Sequence, residues 1–269
     1  MQQGNNESKG QVRATRIISN YEMLKAIEAS GELNRPPIAT PQVSFPSLND
    51  AIEGFMGGEF VVITGATGSG KTLFAQTMTK DFCSNGTIPL WFTYEVAPQY
   101  FLRQFARNAI DLQFYMPEEL TPYSIGWVVE IIKRAKDKFE TNVVFIDHLH
   151  YLFDLNMPSN PSLRIGNIVR ILKRLAVELD IVIFIICHTT KVKIQDDEEI
   201  GLHMIRDSSL IAQEADTAIF VYREVKNEGA TESSRSIIKV CKARRTGIMN
   251  KVIPTVKVEK ELKELERNE

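Results

Sequence analysis

The chain is poor in cysteine and has no long apolar segment. Its three cysteines, Cys83, Cys187 and Cys241, are scattered and form no CxxC pair. This argues against a disulfide framework or a zinc site and favours a reducing compartment. The longest apolar run, residues 181–186, is far too short to span a bilayer. The N-terminus has no apolar signal-peptide core, so we expect a soluble, cytoplasmic protein with no membrane partner.

The chain also lacks an excess of positive charge. Its 32 basic and 34 acidic residues give a formal net charge of −2. A globally basic surface is therefore absent, and any contact with nucleic acid must be local. The composition, with 43% hydrophobic and 25% charged residues, is that of a globular protein and excludes a disordered or coiled-coil chain. For 269 residues we expect one large α/β domain with a short appendage.

A polar segment that contains its own helix precedes the main domain. Ser19 and Glu22 have the spacing of a capping box, and Gly31 is a candidate C-terminal cap, so we predict a short helix between them. The proline-rich stretch that follows has the composition of an extended linker. We therefore divide the chain into a tail, linker helix and linker, residues 1–41, and a main domain, residues 42–269. The helix packs either on its own domain or on a neighbouring subunit, and the sequence leaves both open.

In the main domain, apolar runs alternate with helical patterns. Five near-continuous runs have the character of strands that are buried on both faces of a parallel sheet. These runs are residues 59–64, 88–94, 143–146, 181–187 and 217–222. The alternation predicts an α/β fold, with a mostly parallel sheet flanked by helices. Residues 236–258 predict a C-terminal antiparallel extension, and the charged segment 259–266 predicts a final helix.

A glycine-rich turn directly follows the first predicted strand and opens a helix at residue 71. It matches the P-loop pattern GxxxxGK[ST] in full and comprises Gly65, Ala66, Thr67, Gly68, Ser69, Gly70, Lys71 and Thr72. Such a loop wraps backbone amides around the phosphates of a nucleotide, and the helix N-terminus adds a favourable field. Lys71 is expected to reach the phosphates, and the Thr72 hydroxyl to bind Mg²⁺. The turn therefore predicts a site for ATP and Mg²⁺.

Three polar side chains follow the ends of later predicted strands. Asp147 comes directly after four apolar residues and is the expected carboxylate that completes the Mg²⁺ site. Glu95 follows the second strand and is the candidate general base for the attacking water. His188 follows the fourth strand and is a candidate sensor that hydrogen-bonds the γ-phosphate or the water. Because the carboxyl ends of parallel strands meet at one edge of a sheet, the set predicts a nucleoside triphosphatase.

The order of these features resembles the RecA-like ATPase core, and three further segments resemble DnaB-type hexameric replicative helicases. The segments are FTYEVAPQYFLRQFA, NIVRILKRLAVELDIVIFIICH and IRDSSLIAQEADTAIFVYRE. The similarity extends from about Val43 to about Val256. It implies a RecA-like P-loop fold and a homo-oligomeric ring, expected to be a hexamer, that hydrolyses ATP, moves along single-stranded DNA and unwinds the duplex in replication. Primase or loader proteins are further candidate partners.

The resemblance also implies roles for basic residues. The segment CKARRTG is similar to a hairpin that enters the neighbouring subunit's nucleotide site in this family, so Lys242 and Arg244 become trans-acting cations. Arg245 is a second candidate for the arginine finger, and the sequence does not decide between the two arginines. A basic, solvated hairpin is the alternative. The linker helix in residues 1–41 would dock on the neighbouring subunit.

DNA contacts of this family map to two loops, residues 154–166 and 191–209. The basic residues in them are Arg164, Lys191, Lys193 and Arg206. Contacts to phosphates need no base-reading side chains, so we expect binding of single-stranded DNA without sequence preference. The second loop also carries four consecutive acidic residues, 196–199, which is equally consistent with a solvated loop tip.

The chain departs from the family's usual pattern at His188, where glutamine is usual. Two other functions are compatible with the same catalytic residues. One is a RecA-like, RadA-like or circadian-clock-type ATPase, in recombination or regulation, that assembles without unwinding DNA. The other is a nucleotide-dependent scaffold or loader. Strand displacement on a forked duplex distinguishes a helicase from both.

Overall fold

The computed structural model describes residues 16–105, 112–152, 160–189, 200–204, 209–223 and 235–265. Its backbone divides into two compact units, residues 1–36 and residues 37–269. Within the described part, no helix combines the length and the apolar character needed to cross a bilayer.

The first unit contains a capped helix, α1, which extends over Asn20–Ser30. The Ser19 hydroxyl accepts the Glu22 amide at 3.1 Å, and the Glu22 carboxylate accepts the Ser19 amide at 3.0 Å. Gly31 ends the helix in the left-handed conformation, and its amide donates to the Glu28 carbonyl. The helix and both caps are thus where the sequence predicts them, and none of the α1 residues is buried.

The second unit is built on an eight-stranded sheet with the order β2-β3-β4-β1-β5-β6-β7-β8. The strands are β1 Phe60–Gly65, β2 Pro89–Thr93, β3 Val143–Asp147, β4 Val182–His188, β5 Thr217–Arg223, β6 Arg235–Ala243, β7 Lys251–Val258 and β8 Glu261–Glu264. The first five are parallel to one another, and the last three continue the sheet in antiparallel pairing. The predicted α/β fold with its antiparallel extension is confirmed, and the five parallel strands begin and end within one residue of their predicted limits.

Helices cover both faces of this sheet. They are α2 Pro46–Ile52, α3 Lys71–Ser84, α4 Pro98–Phe105, α5 Ile125–Phe139, α6 Pro161–Leu179 and α7 Ser209–Glu214. Because side chains alternate along a strand, Phe145 of β3 packs on one face with Phe82 of α3, and its neighbour Val144 packs on the other face with Leu172 of α6. The two layers explain why the central strands are apolar without interruption.

The predicted helix at residues 259–266 is wrong over its described part. β7 turns at Glu259, which has a positive φ of 52°, and returns as β8, with Val258 paired to Glu261. Leu262 is 1% exposed, and its amide donates to the Thr77 hydroxyl of α3 at 3.1 Å. The charged side chains favour a helix locally, but β7 offers an unpaired edge and α3 an apolar surface for Leu262. Tertiary pairing therefore overrides local propensity.

Candidate nucleotide site

The residues that the sequence predicts for the site meet at the carboxyl edge of the parallel strands. The last residue of β1, Gly65, is in register with His188 at the end of β4. On the other side of β4, Asp147 ends β3. The Glu95 amide, just beyond β2, donates to the Asp147 carbonyl at 3.2 Å. Parallel pairing thus brings together four residues that are far apart in sequence.

The glycine-rich turn requires backbone conformations that only glycine adopts easily. Gly65, Gly68 and Gly70 have φ values of 148°, 76° and 103°. At Gly65 a Cβ atom would also lie 2.0 Å from the carbonyl oxygen of Val221 in β5, so no side chain fits there. The turn therefore passes close to the sheet and leads directly into α3. The backbone amides in the first turn of a helix have no partners within the helix, and such amides commonly bind phosphate groups.

Lys71, the first residue of α3, turns back over the loop that precedes it. Its ammonium donates to the carbonyls of Gly65 at 3.0 Å and Ala66 at 2.8 Å. Burial lowers the pKa of Lys71, and the negative charges of Glu95 and Asp147 act in the opposite direction. A buried cation is thus held against the backbone of the loop, where it can bind an anion.

Thr72 and Asp147 form a pair of oxygen groups beside Lys71. The Thr72 hydroxyl donates to Oδ2 of Asp147 at 2.7 Å. Asp147 is 1% exposed, and this burial raises its pKa to about 6. Its second oxygen, Oδ1, is buried and has no hydrogen-bond partner among the described residues. A hydroxyl beside an incompletely satisfied carboxylate is the donor set that Mg²⁺ prefers, so these residues fit the expected ion.

Glu95 lies beside two histidines. Its Oε2 atom lies 3.1 Å from Nδ1 of His148 and 3.8 Å from Nε2 of His188. The hydrogen bond from His148 lowers the pKa of Glu95, so its carboxylate is ionised and able to accept a proton from water. Burial lowers the pKa of His188 to about 4, so its imidazole is neutral at physiological pH.

His148 is absent from the sequence-based set of site residues. It follows Asp147 directly, in the segment VVFIDHLHY, and this adjacency is the one signal that points to it. The sequence does not reveal its contact with Glu95, because that contact depends on the pairing of β2 with β3.

The basic hairpin, which carries Lys242, Arg244 and Arg245, lies at the amino ends of the parallel strands, opposite the predicted nucleotide site. Ala243, the last residue of β6, pairs with Thr217, the first residue of β5. Thr217 in turn pairs with Val61 of β1, which lies four residues before Gly65. The end of β6 is therefore about 13 Å from Gly65, measured along the strand direction. Lys242, Arg244 and Arg245 are therefore far from the P-loop of their own chain.

The three basic residues of this hairpin differ in their contacts. Arg245 contacts several groups of its own domain. Its guanidinium forms ion pairs with Glu53 at 3.1 Å and Glu59 at 3.2 Å, and it donates hydrogen bonds to the carbonyls of Ile52 and Gly54. These contacts fasten the end of β6 to the α2 segment.

Arg244 and Lys242 have fewer partners. The Arg244 side chain is half exposed and contacts the Asp216 carboxylate at 3.0 Å and the Gln213 carbonyl at 2.8 Å. Lys242 donates to the carbonyls of Ala212 at 3.0 Å and Gln213 at 3.4 Å.

Of the four candidate DNA contacts, one falls in the described residues. Arg164 lies in the first turn of α6, which begins at residue 161, rather than in a loop. Lys191, Lys193 and Arg206 lie outside the described residues, as does the acidic run 196–199. The DNA contacts remain predictions.

Comparison with known protein families gives a match to the DnaB-like helicase C terminal domain over residues 102–264. This range includes Asp147, His188 and the basic hairpin, whereas the P-loop and Glu95 precede it. Among curated proteins, the chain is 23% identical over 247 residues to the replicative DNA helicase DnaB of Rickettsia conorii, covering 77% of this chain and 50% of that protein. It is 23% identical over 217 residues to the same helicase of Rickettsia prowazekii, covering 66% of this chain and 44% of that protein. The chain thus spans half or less of the length of these relatives.

Two solved structures share the fold. One is described as an ATPase domain and superposes with a TM-score of 0.78 at 20% identity, over 92% of this chain and 99% of that one. The other is a DnaB-like replicative helicase, described with its interactions with primase. It superposes with a TM-score of 0.79 at 19% identity, over 92% of this chain and 69% of that one. At these identities the two structures establish the RecA-like fold of the chain.

Proposed function

The chain belongs to the family of the DnaB-like helicase C-terminal domain, and from that premise we propose that it is an ATP-driven ring helicase. It hydrolyses ATP at subunit interfaces, moves along single-stranded DNA and separates the strands of a duplex during replication. The observation that carries this proposal is the arrangement of charged groups at two edges of one sheet. Phosphate, metal and water-activating groups lie at the carboxyl edge, and the basic hairpin lies at the amino edge.

ATP binding is assigned to the P-loop. The amides of residues 65–72 and the ammonium of Lys71 bind the phosphates, and the phosphates replace the Gly65 and Ala66 carbonyls as partners of that ammonium. Thr72 and Asp147 would hold Mg²⁺, which, when bound, would neutralise charge on the phosphate oxygens. The unpartnered Oδ1 atom of Asp147, among the residues that the structure describes, supports this assignment.

Glu95 positions and deprotonates the attacking water. Its carboxylate is ionised, lies at the same edge as Lys71, and is oriented by the hydrogen bond from His148. His188 stands beside it with a neutral ring, so it can donate one hydrogen bond to the γ-phosphate or to the water without adding a charge. These contacts would align the water for attack. Because His188 ends β4, its contact at the end of that strand would also depend on whether the γ-phosphate is still present.

Arg244 acts on the neighbouring subunit's nucleotide. Because it lies at the opposite sheet edge from its own P-loop, it cannot serve that site, whereas its exposed guanidinium is available to another chain. Arg245 is held by acceptors of its own domain, which supports Arg244 as the finger. Lys242 lies beside Arg244 and would assist it. The arginine neutralises charge that develops on the transferring phosphoryl group.

The remaining partners are single-stranded DNA and further copies of the chain, with a primase or loader as additional candidates. The family membership supports them. The structure with primase supports a primase contact for that protein, and we extend it to this chain as part of the proposal.

ATP hydrolysis measured against protein concentration, with and without single-stranded DNA, tests the proposal together with strand displacement on a forked duplex. We expect turnover per chain to rise with concentration and with DNA, and the fork to be unwound. Lys71→Ala is the matched variant, and it should abolish ATP hydrolysis at every protein concentration, its stimulation by DNA, and the unwinding of the fork. Concentration-independent turnover that is indifferent to DNA, with an intact fork, would leave a P-loop ATPase and refute the helicase.

A further inference from the structure

One carboxylate and two imidazoles converge at the mouth of the nucleotide site. Glu95, His148 and His188 each offer a ligand atom, and the three atoms lie within 4.8 Å of one another. They come from three different strands, just beyond β2 and β3 and at the end of β4, so the sheet positions them independently. The proposed hydrolysis uses Glu95 as the base and His188 as the sensor, and it gives His148 only the role of orienting Glu95.

Two of the distances in this cluster bracket the separation of neighbouring ligands around a four-coordinate metal ion. Zn²⁺ binds nitrogen and oxygen at about 2.0–2.2 Å, so neighbouring ligands of a tetrahedral ion are separated by about 3.3–3.6 Å. Oε2 of Glu95 is 3.1 Å from His148 and 3.8 Å from His188. The ligand atoms of the two histidines lie within 4.8 Å of each other. Three protein ligands and one open position are typical of accessible zinc sites.

The ligand types separate this cluster from the Mg²⁺ site. Imidazole nitrogens favour Zn²⁺ and other borderline transition metals, whereas Mg²⁺ prefers oxygen ligands in octahedral geometry. The oxygen pair Thr72 and Asp147 is already joined by its own hydrogen bond of 2.7 Å. The two sets of side chains at the carboxyl ends of the strands thus differ in the kind of metal ion that they favour.

Aromatic packing holds the two imidazoles in place. The His148 ring contacts the His188 ring edge-on, with centroids 4.5 Å apart, and packs on Tyr151 at 4.9 Å. Tyr151 in turn stacks on Tyr94, the residue before Glu95, at 5.9 Å. The ligands are thus presented by a packed cluster rather than by solvated side chains, which lowers the cost of ordering them around an ion.

We propose that Glu95, His148 and His188 bind a single Zn²⁺-like transition-metal ion, and that its binding inhibits ATP hydrolysis. The ion takes the carboxylate oxygen that would otherwise accept a proton from the attacking water. The inhibitory part rests on the proposed function, whereas the binding part rests on the ligand geometry alone.

Zn²⁺ binding to the full chain is measured by calorimetry without nucleotide, and Co²⁺ absorption in the visible range reports the geometry of the bound ion. The wild type should bind one ion per chain. His148→Gln and Glu95→Gln should each weaken binding more than tenfold, since loss even of an outer-shell partner costs that much. His203→Gln removes an exposed histidine elsewhere and should bind as the wild type does. Glu95 is the more exposed ligand, so its variant remains informative if His148→Gln does not fold.

ATP hydrolysis in Mg²⁺ is then titrated with Zn²⁺. Inhibition of the wild type at the concentrations that saturate the calorimetric site supports the proposal. Equal Zn²⁺ affinity in the wild type, His148→Gln and Glu95→Gln overturns it, whatever the enzyme activity. Tight, variant-sensitive binding together with no hydrolysis in Mg²⁺ alone supports the metal site and refutes the proposed function, so the two failures are distinguishable. Site-specific binding that leaves hydrolysis unchanged overturns the inhibitory role.

Discussion

The guanidinium of Arg244 lies 3.0 Å from the carboxylate of Asp216, which is itself buried at the start of β5. The same carboxylate accepts the backbone amide of Phe60 at 2.8 Å and the ammonium of Lys173. An exposed cation is therefore placed by an anion that is anchored to β1 and α6. This relationship joins the candidate finger to the central strand that leads into the P-loop.

Asp216→Asn should destabilise the fold as well as release Arg244. The amide keeps the size of the side chain but removes the charge that compensates Lys173, which is largely buried. We expect the free energy of unfolding to fall by about 2–3 kcal/mol, measured by urea denaturation. Glu214→Gln is the matched control, because it disrupts an exposed pair with Arg170 and should cost under about 1 kcal/mol. Equal losses in the two variants would contradict the anchoring role.

Arg244 and Arg245 should respond differently to replacement by alanine. Arg244→Ala should reduce the turnover of the assembled protein by about 10³-fold or more with little change in stability, since it removes a trans-acting charge. Arg245→Ala should lower the free energy of unfolding by about 1–3 kcal/mol, because it breaks the contacts with Glu53 and Glu59. Turnover and urea midpoints are measured on both variants. Full activity of Arg244→Ala would exclude it as the finger.

Glu95→Gln should separate nucleotide binding from hydrolysis. The amide retains the shape of the side chain but cannot accept a proton, so turnover should fall about 10²–10⁴-fold. Binding of a fluorescent ATP analogue should stay within a few-fold of the wild type, because Lys71 and the P-loop amides are unchanged. A loss of binding equal to the loss of turnover would show that Glu95 acts on the nucleotide itself.

His188 should contribute to the pH dependence of stability. Its folded pKa is about 4, below the ordinary value of 6.5, because burial disfavours the charged ring. As the pH falls below about 6.5, His188 becomes protonated in the unfolded chain but stays neutral in the folded chain. The free energy of unfolding therefore decreases until the pH reaches about 4. His188→Gln removes this loss, which amounts to up to about 3 kcal/mol. Urea denaturation at both ends of this range measures it, and His203→Gln, at an exposed site, should leave the dependence unchanged.

Removal of residues 1–36 tests the linker helix α1. The deletion ends before Ile38 and Ala39, whose amides donate to the Phe55 carbonyl, so the second unit keeps its own contacts. We expect a folded protein that no longer forms rings in sedimentation velocity. Tyr21→Ala with Leu24→Ala in the full chain should have the same effect, since both side chains are exposed on α1. Normal rings in either variant would exclude a docking role for α1.

The parallel strands and the P-loop are predictable because each is specified by a contiguous run of residues. Glu95, Asp147 and His188 are predictable as a group because strand ends converge. The contact of His148 with Glu95 is not, since it depends on the register of β2 against β3 and on the path of the chain after Asp147. The difference between Arg244 and Arg245 likewise arises from the packing of β6 beside α2. The last strand, β8, is not predictable from its own residues because its pairing partner lies outside its segment.

The separation of the two sheet edges constrains the symmetry of any assembly. The surface that carries Arg244 and the surface that carries the P-loop lie at opposite ends of the same strands. A two-fold partner would have to contact both ends of these strands within one interface, whereas in a ring each of the two surfaces meets a different neighbour. In the proposed ring, with Arg244 as the finger, each chain would receive an arginine from one neighbour and give its own to another, which is a heterologous, head-to-tail contact. Such contacts produce a cyclic array when the rotation closes and an open helical filament when it does not.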